Sequence, residues 1–368
     1  MNLTLSAAAG HAERSGTAVL LPLRQVSERA GNNGLAEHLT QIQTWLSDDL
    51  AELEASLANL HTAAEEQSEQ ANIAERAADH LLGRRGKRIR PMCVLLAARL
   101  GRGADPRQVR NAAVASELVH AATLLHDDVI DEGVDRRGAL TARVVYGNSA
   151  SILAGDHLLI EALRLVRQSG HIQLLDQLLN TVSEMVAAEA LQLERRGRFE
   201  PDRATYLRII EGKTAALFRW ALAAGGTLGS LPLATTEILG RAGLALGLAF
   251  QLIDDVLDLE GSEAATGKSV LADLREGKLT WPLIVATERD PDLLAELGAL
   301  AEGNGTNEAT ARLWKVVERV RRTEALEATR TFAEEQTTLA RSLLAVVPDS
   351  PARRAVEIVI DAAVQRDH

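Results

Sequence analysis

Three carboxylates, Asp127, Asp128 and Asp131, close the run His120-Ala-Ala-Thr-Leu-Leu-His-Asp-Asp-Val-Ile-Asp131. On a helix Asp127 and Asp131 share one face a turn apart, and like charges at that spacing repel. The arrangement returns in Phe250-Gln-Leu-Ile-Asp-Asp-Val-Leu-Asp258, where Asp254, Asp255 and Asp258 again stand at i, i+1 and i+4. One acidic triplet marks a solvated helix face or a cap as readily as a site. Two copies, each closing an apolar run, read as two walls of one metal site. Magnesium suits such walls: it takes one or two carboxylates and completes its shell with waters and phosphate oxygens. Neither motif holds the cysteine and histidine set of a zinc site. His120 and His126 fit donation to a diphosphate, or a place in a helix interface, better than metal ligation.

Basic segments supply the complementary half. Arg84-Arg-Gly-Lys-Arg-Ile-Arg-Pro91 carries five cations in seven residues, with a glycine that lets the backbone approach a ligand. Alone, such a run is more often a solvated surface. Here Pro91 fits the first position of a helix from Met92 to Leu100. The loop then lies at a helix N-terminus, where backbone N–H groups and the macrodipole favour an anion such as phosphate. Asp135-Arg-Arg-Gly138 follows the first acidic motif, and a second Gly/Lys loop, Thr266 to Lys278, follows the other.

The elements that must position these residues read as helices. Leu39, Ile42, Leu46, Leu50, Leu53, Leu57 and Leu60 recur every three or four residues, which predicts one amphipathic helix over Leu35 to Leu60. Further helices are expected at Ala71 to Leu82, Ala150 to Gln168, Ile172 to Arg195, Ala204 to Ala224 and Thr235 to Asp258. Gly303-Asn-Gly-Thr-Asn307 reads as a linker before two or three final helices. No alternating strand pattern of useful length occurs. The expected architecture is a poorly ordered extension over residues 1–34, then one all-α domain over 35–368.

Composition agrees. The 368 residues are 46% hydrophobic, ample for a core, and only 3% aromatic. The net charge of −11 argues against a general nucleic-acid binder. Cys93 is the single cysteine and lies in an apolar run, so a small buried side chain and a reducing compartment are expected. No apolar run approaches the roughly 18 residues of a membrane span. The N-terminus lacks the basic region of a signal peptide, and Glu13 and Glu28 interrupt the arginines of a transit-like segment. A soluble cytoplasmic protein is the expectation.

The ordered set Gly86-Lys-Arg-Ile-Arg-Pro91, Asp127-Asp-Val-Ile-Asp131, Arg136-Arg-Gly138, Lys213-Thr-Ala215, Phe250 to Asp258 and Gly277-Lys278 resembles the trans-isoprenyl diphosphate synthases of the polyprenyl synthetase family. The resemblance covers Leu35 to the C-terminus. It implies a bundle of antiparallel helices around a deep central cavity, usually homodimeric. It also implies magnesium-dependent head-to-tail condensation of isopentenyl diphosphate with an allylic diphosphate. By that resemblance Asp127, Asp131 and Asp254 would hold magnesium, with Asp128, Asp255 and Asp258 as further partners. Arg136, Lys213 and Lys268 would clamp the allylic diphosphate, and Lys87, Arg90, His120 and Arg137 would bind isopentenyl diphosphate. Thr214 and Gln251 would stabilise an allylic cation, and Lys278 would cover the closed site.

Product length is read from the helix that carries the first motif. Thr123 and Val119 lie one and two turns before Asp127, each turn rising about 5.4 Å. Ala122 and Thr123 are small where short-chain members of the family carry aromatic plugs, so a product longer than farnesyl is expected. Small residues also let helices pack closely. Such a product would bring transient membrane contact on release. Three positions depart from the family pattern: Arg85 and Leu271 replace common glycines, and Ala139-Leu140 replaces a basic-proline pair. Two alternatives are a partner-dependent, non-catalytic subunit and a class I terpene cyclase. Both acidic triplets and the basic set are retained, which favours the synthase.

Overall fold

Apolar residues at helical spacing, interrupted by capping residues and glycines, build an almost entirely helical chain in the computed structural model. It describes residues 33–65, 72–84, 86–136, 138–260, 271–301 and 307–365. The expected extension therefore falls outside the described residues except for Asn33 and Gly34, which open the first helix. In chain order the helices are α1 (Asn33–Trp45), α2 (Ser47–Glu65), α3 (Ile73–Leu82), α4 (Ile89–Ala98) and α5 (Pro106–Ile130). Next come two short strands, β1 (Asp135–Arg136) and β2 (Ala139–Leu140), and then α6 (Ala142–Tyr146), α7 (Asn148–Gln168) and α8 (Ile172–Arg195). Beyond these lie α9 (Arg203–Ile210), a π-helical turn (Glu211–Ala215), α10 (Ala216–Leu228) and α11 (Leu233–Glu260). The chain ends with α12 (Ala272–Arg275), α13 (Trp281–Arg289), α14 (Leu293–Ala301), α15 (Asn307–Arg322), α16 (Ala325–Leu344) and α17 (Pro351–Val364).

Local chemistry accounts for several boundaries. The Asn72 side chain accepts from the N–H groups of Ala74 and Glu75, and the Glu75 carboxylate accepts from Asn72 N–H, closing a capping box on α3. Asp105 caps α5 ahead of Pro106, and Ser350 caps α17 ahead of Pro351.

Four expectations are corrected. The helix expected over Leu35 to Leu60 is two, α1 and α2, separated at Leu46. Pro91 is the third residue of α4, because the helix begins at Ile89 behind Arg88, whose backbone is left-handed (φ 48°). The continuous helix expected over Ala204 to Ala224 contains the π-helical turn. A two-stranded antiparallel pair, Asp135 opposite Leu140 and Arg136 opposite Ala139, forms where no strand was expected. Period-2 alternation cannot announce strands of two residues.

The two long helices that carry the acidic motifs are held by α10. α5 is buried along most of its length, from Val109 to Asp128, between α4, α7 and α10. α11 packs on α10 and α16. Close approach of α10 and α11 requires glycine: a Cβ on Gly243 would strike the Phe218 backbone, and one on Gly247 would strike Ala215. Gly225 lets α10 meet the Val94 backbone of α4 in the same way. Cys93 is buried as expected, and burial pushes its thiol up to about 12, with Arg90 pulling against it. No helix among the described residues is long and apolar enough to cross a membrane.

Gly247 stands directly behind the turn that holds Lys213 and Thr214. Gly247→Ala should lose roughly 1–3 kcal/mol of stability to overpacking, despite the better helix propensity of alanine. Chemical denaturation of the two proteins measures it.

Candidate active site

Both acidic motifs occupy the last turns of their helices. Asp131 is the C-terminal cap of α5, and Asp258 lies two residues before the end of α11. The negative end of a helix macrodipole opposes carboxylates there, which adds to their mutual repulsion. Two lysines offset the charge. Lys213, in the π-helical turn, lies 3.5 Å from Asp127 Oδ2, pairs with Glu189 of α8 and donates to Gln192 Oε1 at 2.8 Å. Lys278 donates to Asp131 Oδ2 at 2.9 Å and pairs with Glu276 at 2.5 Å. Burial alone would lower the Lys278 ammonium, but Asp273, Glu276 and Asp131 together hold it above its ordinary value.

Residues 271–278 join the two walls. Asp258 accepts from the N–H groups of Ala272 and Asp273, at 3.0 and 3.3 Å, and so caps α12. That turn sets Asp273 among the charges of Lys278, Lys213, Asp131 and Asp254. Burial pushes Asp127 up to about 6, with Lys213 opposing and Glu189 and Asp131 adding to the shift. Burial and then Asp273 push Asp258 up to about 7 against the two backbone donors. So much desolvated acid fits a hard divalent cation. Among the described residues no three carboxylate, histidine or cysteine side chains form a ready cage.

The structure separates residues that the sequence groups together. Asp128 is buried and accepts from Arg136 Nε at 2.7 Å, tying the β1–β2 hairpin to α5. Asp255 is buried and accepts from Tyr206 Oη and, at 2.9 Å, from Gln251 Nε2. Thr214 Oγ1 donates to Gln251 Oε1 at 2.8 Å. A cavity of about 120 Å³ is lined by Lys213, Thr214, Gln251, Asp255, Asp273 and Lys278, among others. Ala122, Thr123 and Val119 do not line it: Ala122 and Val119 are buried in the packing of α5, and Thr123 is half-buried.

The basic loop also divides. Lys87 is exposed, and the Arg90 guanidinium lies 4.6 Å from the centre of the buried Phe218 ring. Arg88, between them, is buried and bound to Glu54 (2.8 Å) and Glu117 (2.5 Å), so it anchors the loop rather than facing a ligand. Burial opposes its charge, while Glu117 and Glu54 hold its pKa above the ordinary value. His120 is half-buried on α5. His126 lies against Ile152 O (3.2 Å) and Asp156 (3.3 Å) of α7, where any side chain at Gly155 would collide with its ring. Arg137 and Lys268 lie outside the described residues.

Sequence reasoning missed four participants: Glu189, Asp273, Arg196 and Tyr206. Arg196 donates to Glu276 O (2.7 Å) and Ile130 O (3.2 Å) and stands 3.4 Å from Asp131, while Gly197 N–H donates to Gly277 O at 2.9 Å. It pins the end of α5 to the Lys278 loop. Asp273 could have been suspected from its place in the Thr266 to Lys278 loop, but Glu189, Arg196 and Tyr206 carry no local signal. Leu271, noted for replacing a common glycine, does adopt the left-handed backbone (φ 65°) and is fully buried. Burial of its side chain compensates a conformation that costs about 1–3 kcal/mol in a residue other than glycine.

Helices of this order, with acidic ends facing across basic loops, define a class of metal- and diphosphate-handling enzymes, and comparison with known proteins agrees. Residues 71–319 match the family model described as Polyprenyl synthetase. The octaprenyl diphosphate synthase of Escherichia coli (strain K12) is 39% identical over 284 residues, 77% of this chain and 86% of the relative. A decaprenyl diphosphate synthase structure from Rhodobacter capsulatus superposes with a TM-score of 0.80 at 35% identity, covering 89% of this chain and 98% of the other. A polyprenyl synthase structure from Caulobacter crescentus CB15, complexed with calcium and isoprenyl diphosphate, gives 0.79 at 36% identity, covering 86% and 96%. The chain belongs to the polyprenyl synthetase family and is a prenyltransferase with the all-α fold of that family.

Asp127 takes a proton more readily in the folded chain, at about 6, than in an unfolded one, at about 3.9. In metal-free protein its ionisation therefore costs stability as pH rises through that window. Asp127→Asn should stabilise metal-free protein by roughly 1–3 kcal/mol above pH 6.5, and the gain should vanish below about pH 4. Thermal melts across that range, with a chelator present, test this.

Proposed function

We propose that the chain joins isopentenyl diphosphate to an allylic diphosphate, in a magnesium-dependent reaction, to give a prenyl chain longer than farnesyl. One observation carries the reading: Lys213 and Lys278 pair with Asp127 and Asp131 of the first motif, Asp273 stands among both lysines, Asp131 and Asp254 of the second, and a cavity lined by Thr214 and Gln251 lies beside them. Magnesium held by Asp127, Asp131 and Asp254 would neutralise the allylic diphosphate and favour its departure.

The chain's own groups do the rest. Lys213 and Lys278, already beside the acidic walls, turn to the diphosphate when substrate brings its negative charge, and Arg136 and Lys268 add to that clamp. Lys87, Arg90, His120 and Arg137 receive isopentenyl diphosphate, with Arg90 steadied on the Phe218 face. As the C–O bond breaks, positive charge grows on the allylic carbon, and the Thr214 and Gln251 oxygens stabilise it. The isopentenyl double bond attacks that carbon, and a proton then leaves the new cation for the released diphosphate. The reaction needs water kept from the cation, which would otherwise be quenched.

Small residues at Ala122 and Thr123, with no aromatic at Val119 a turn further back, support a long product, as do relatives described as octaprenyl and decaprenyl diphosphate synthases. We also propose a homodimer. Ile172, Leu179, Val186 and Leu193 recur every seven residues along α8, all exposed, beside Ile152, Leu153 and Ile160 of α7. Exposed apolar residues repeated on neighbouring helices in this way suit a second copy of the chain. A cytoplasmic location and brief membrane contact on release of a lipophilic product fit the same reading.

Product analysis by mass spectrometry, with labelled isopentenyl diphosphate and farnesyl diphosphate, tests the reaction directly. Extension should require magnesium and stop with a chelator. Asp127→Ala and Asp254→Ala should each lose at least about 100-fold in turnover with helical content intact; activity retained in both would defeat the metal assignment. Ala122→Phe or Thr123→Phe should shorten the product, and an unchanged distribution in both would place the length ruler elsewhere.

A further inference from the structure

Tyr206 lies on α9, outside both acidic motifs, and its side chain is buried against Trp281, with ring centres 5.5 Å apart. Its hydroxyl donates to Asp255 Oδ2. The other oxygen of that carboxylate accepts from Gln251 Nε2 at 2.9 Å, and Thr214 Oγ1 donates to Gln251 Oε1 at 2.8 Å. One hydrogen-bonded chain thus runs from α9 through α11 to the π-helical turn, and all four residues line the same cavity.

The chain has a direction. With donors converging on both its oxygens, Asp255 serves as acceptor on both. Burial, then the Asp273 charge, raise its carboxyl well above the ordinary value against the Tyr206 and Gln251 donors, so the direction of the chain rests on the positions of the donors and not on its titration. An amide has two unlike ends, so committing the Gln251 NH₂ to Asp255 leaves its carbonyl oxygen on the Thr214 side. The one hydroxyl hydrogen of Thr214 is spent on that oxygen. What Thr214 Oγ1 and Gln251 Oε1 keep toward the cavity is lone pairs, the end of each dipole that attracts positive charge; the second Gln251 N–H stays on the Asp255 side of the amide.

We propose that Tyr206 is a positioning residue: by holding Asp255 it fixes the sense of the Gln251 amide, and so aims the Gln251 and Thr214 oxygens at a developing allylic cation. The inference rests on the condensation proposed above, and deepens it by assigning the polarity of the cation site to a residue outside the motifs. The same logic makes an unusual demand of Asp255→Asn. With Tyr206 still donating to the new amide's oxygen, its NH₂ is driven toward Gln251, which must turn over and present NH₂ to the cavity. Removing the Tyr206 hydroxyl in that background frees the new amide to turn, and Gln251 can return.

The test compares two unreactive ligands in the presence of magnesium and inorganic diphosphate. One is an allylic thiolodiphosphate; the other is an analogue with an ammonium nitrogen at the position of the cationic carbon. Tyr206→Phe should bind the thiolodiphosphate within about twofold of the parent chain, and the ammonium analogue about tenfold more weakly, the ratio set by roughly one misdirected hydrogen-bond dipole. Its kcat should fall while KM for both substrates changes little. Asp255→Asn should lose ammonium binding selectively, and the Tyr206→Phe/Asp255→Asn double variant should recover part of it. Equal losses on both ligands, or an unchanged preference in the variants, would overturn the proposal. If Tyr206→Phe does not fold, Asp255→Asn alone decides by the same criterion. A parent chain that binds neither ligand and extends no primer would instead count against the condensation itself.

Discussion

Carboxylates crowded at the negative ends of two helices are a standing cost, and the site is organised around offsetting it. Lys213 reaches Asp127 and Glu189 from one side, and Lys278 reaches Asp131 and Glu276 from the other. Because burial weakens solvent screening, these pairs and the raised proton affinity of Asp127 and Asp258 are two expressions of one imbalance. A substrate that arrives with metal can take over both jobs at once: the metal meets the carboxylates, and the diphosphate meets the released lysines. Charge balance thereby links substrate binding to the arrangement of the loops.

That balance needs two helix ends held at a fixed separation, which is the work of α10. Gly225, Gly243 and Gly247 bring α4, α10 and α11 into backbone contact, so the π-helical turn with Lys213 and Thr214 is seated without side-chain slack. Arg196 completes the frame by tying Ile130 and Asp131 to the Lys278 loop, and buried Arg88 does the same for the loop bearing Lys87 and Arg90. Several cations of this protein thus serve as struts rather than ligand contacts. The division follows burial: Arg88 finds two carboxylates inside the core, while Lys87 one residue away faces outward.

Much of the fold was legible in the chain because its elements are long and periodic. α8 has the boundaries that its apolar spacing predicts. The break at Leu46, the π-helical turn and the two-residue strands were not legible. Each is a departure from regular periodicity forced by packing, and it leaves the hydrophobic pattern on either side unchanged. Within the site, the two acidic triplets and the basic glycine loops were readable from spacing and residue type, whereas the roles of Asp127, Asp131, Asp254, Lys213 and Lys278 came from the resemblance to the family.

What the sequence determined by itself was the inventory: an all-α chain, two acidic helix ends, basic loops able to meet an anion, and small residues before the first motif. Tertiary structure decided the assignments within that inventory. It turned Asp128 toward Arg136 and Asp255 toward Tyr206, made Asp258 a cap, and recruited Glu189, Asp273 and Arg196 from distant stretches. The reason is geometric. Residues at i and i+1 on a helix point about 100° apart, so adjacent aspartates cannot share a wall, and only the packing of neighbouring helices settles which one is bonded into the frame.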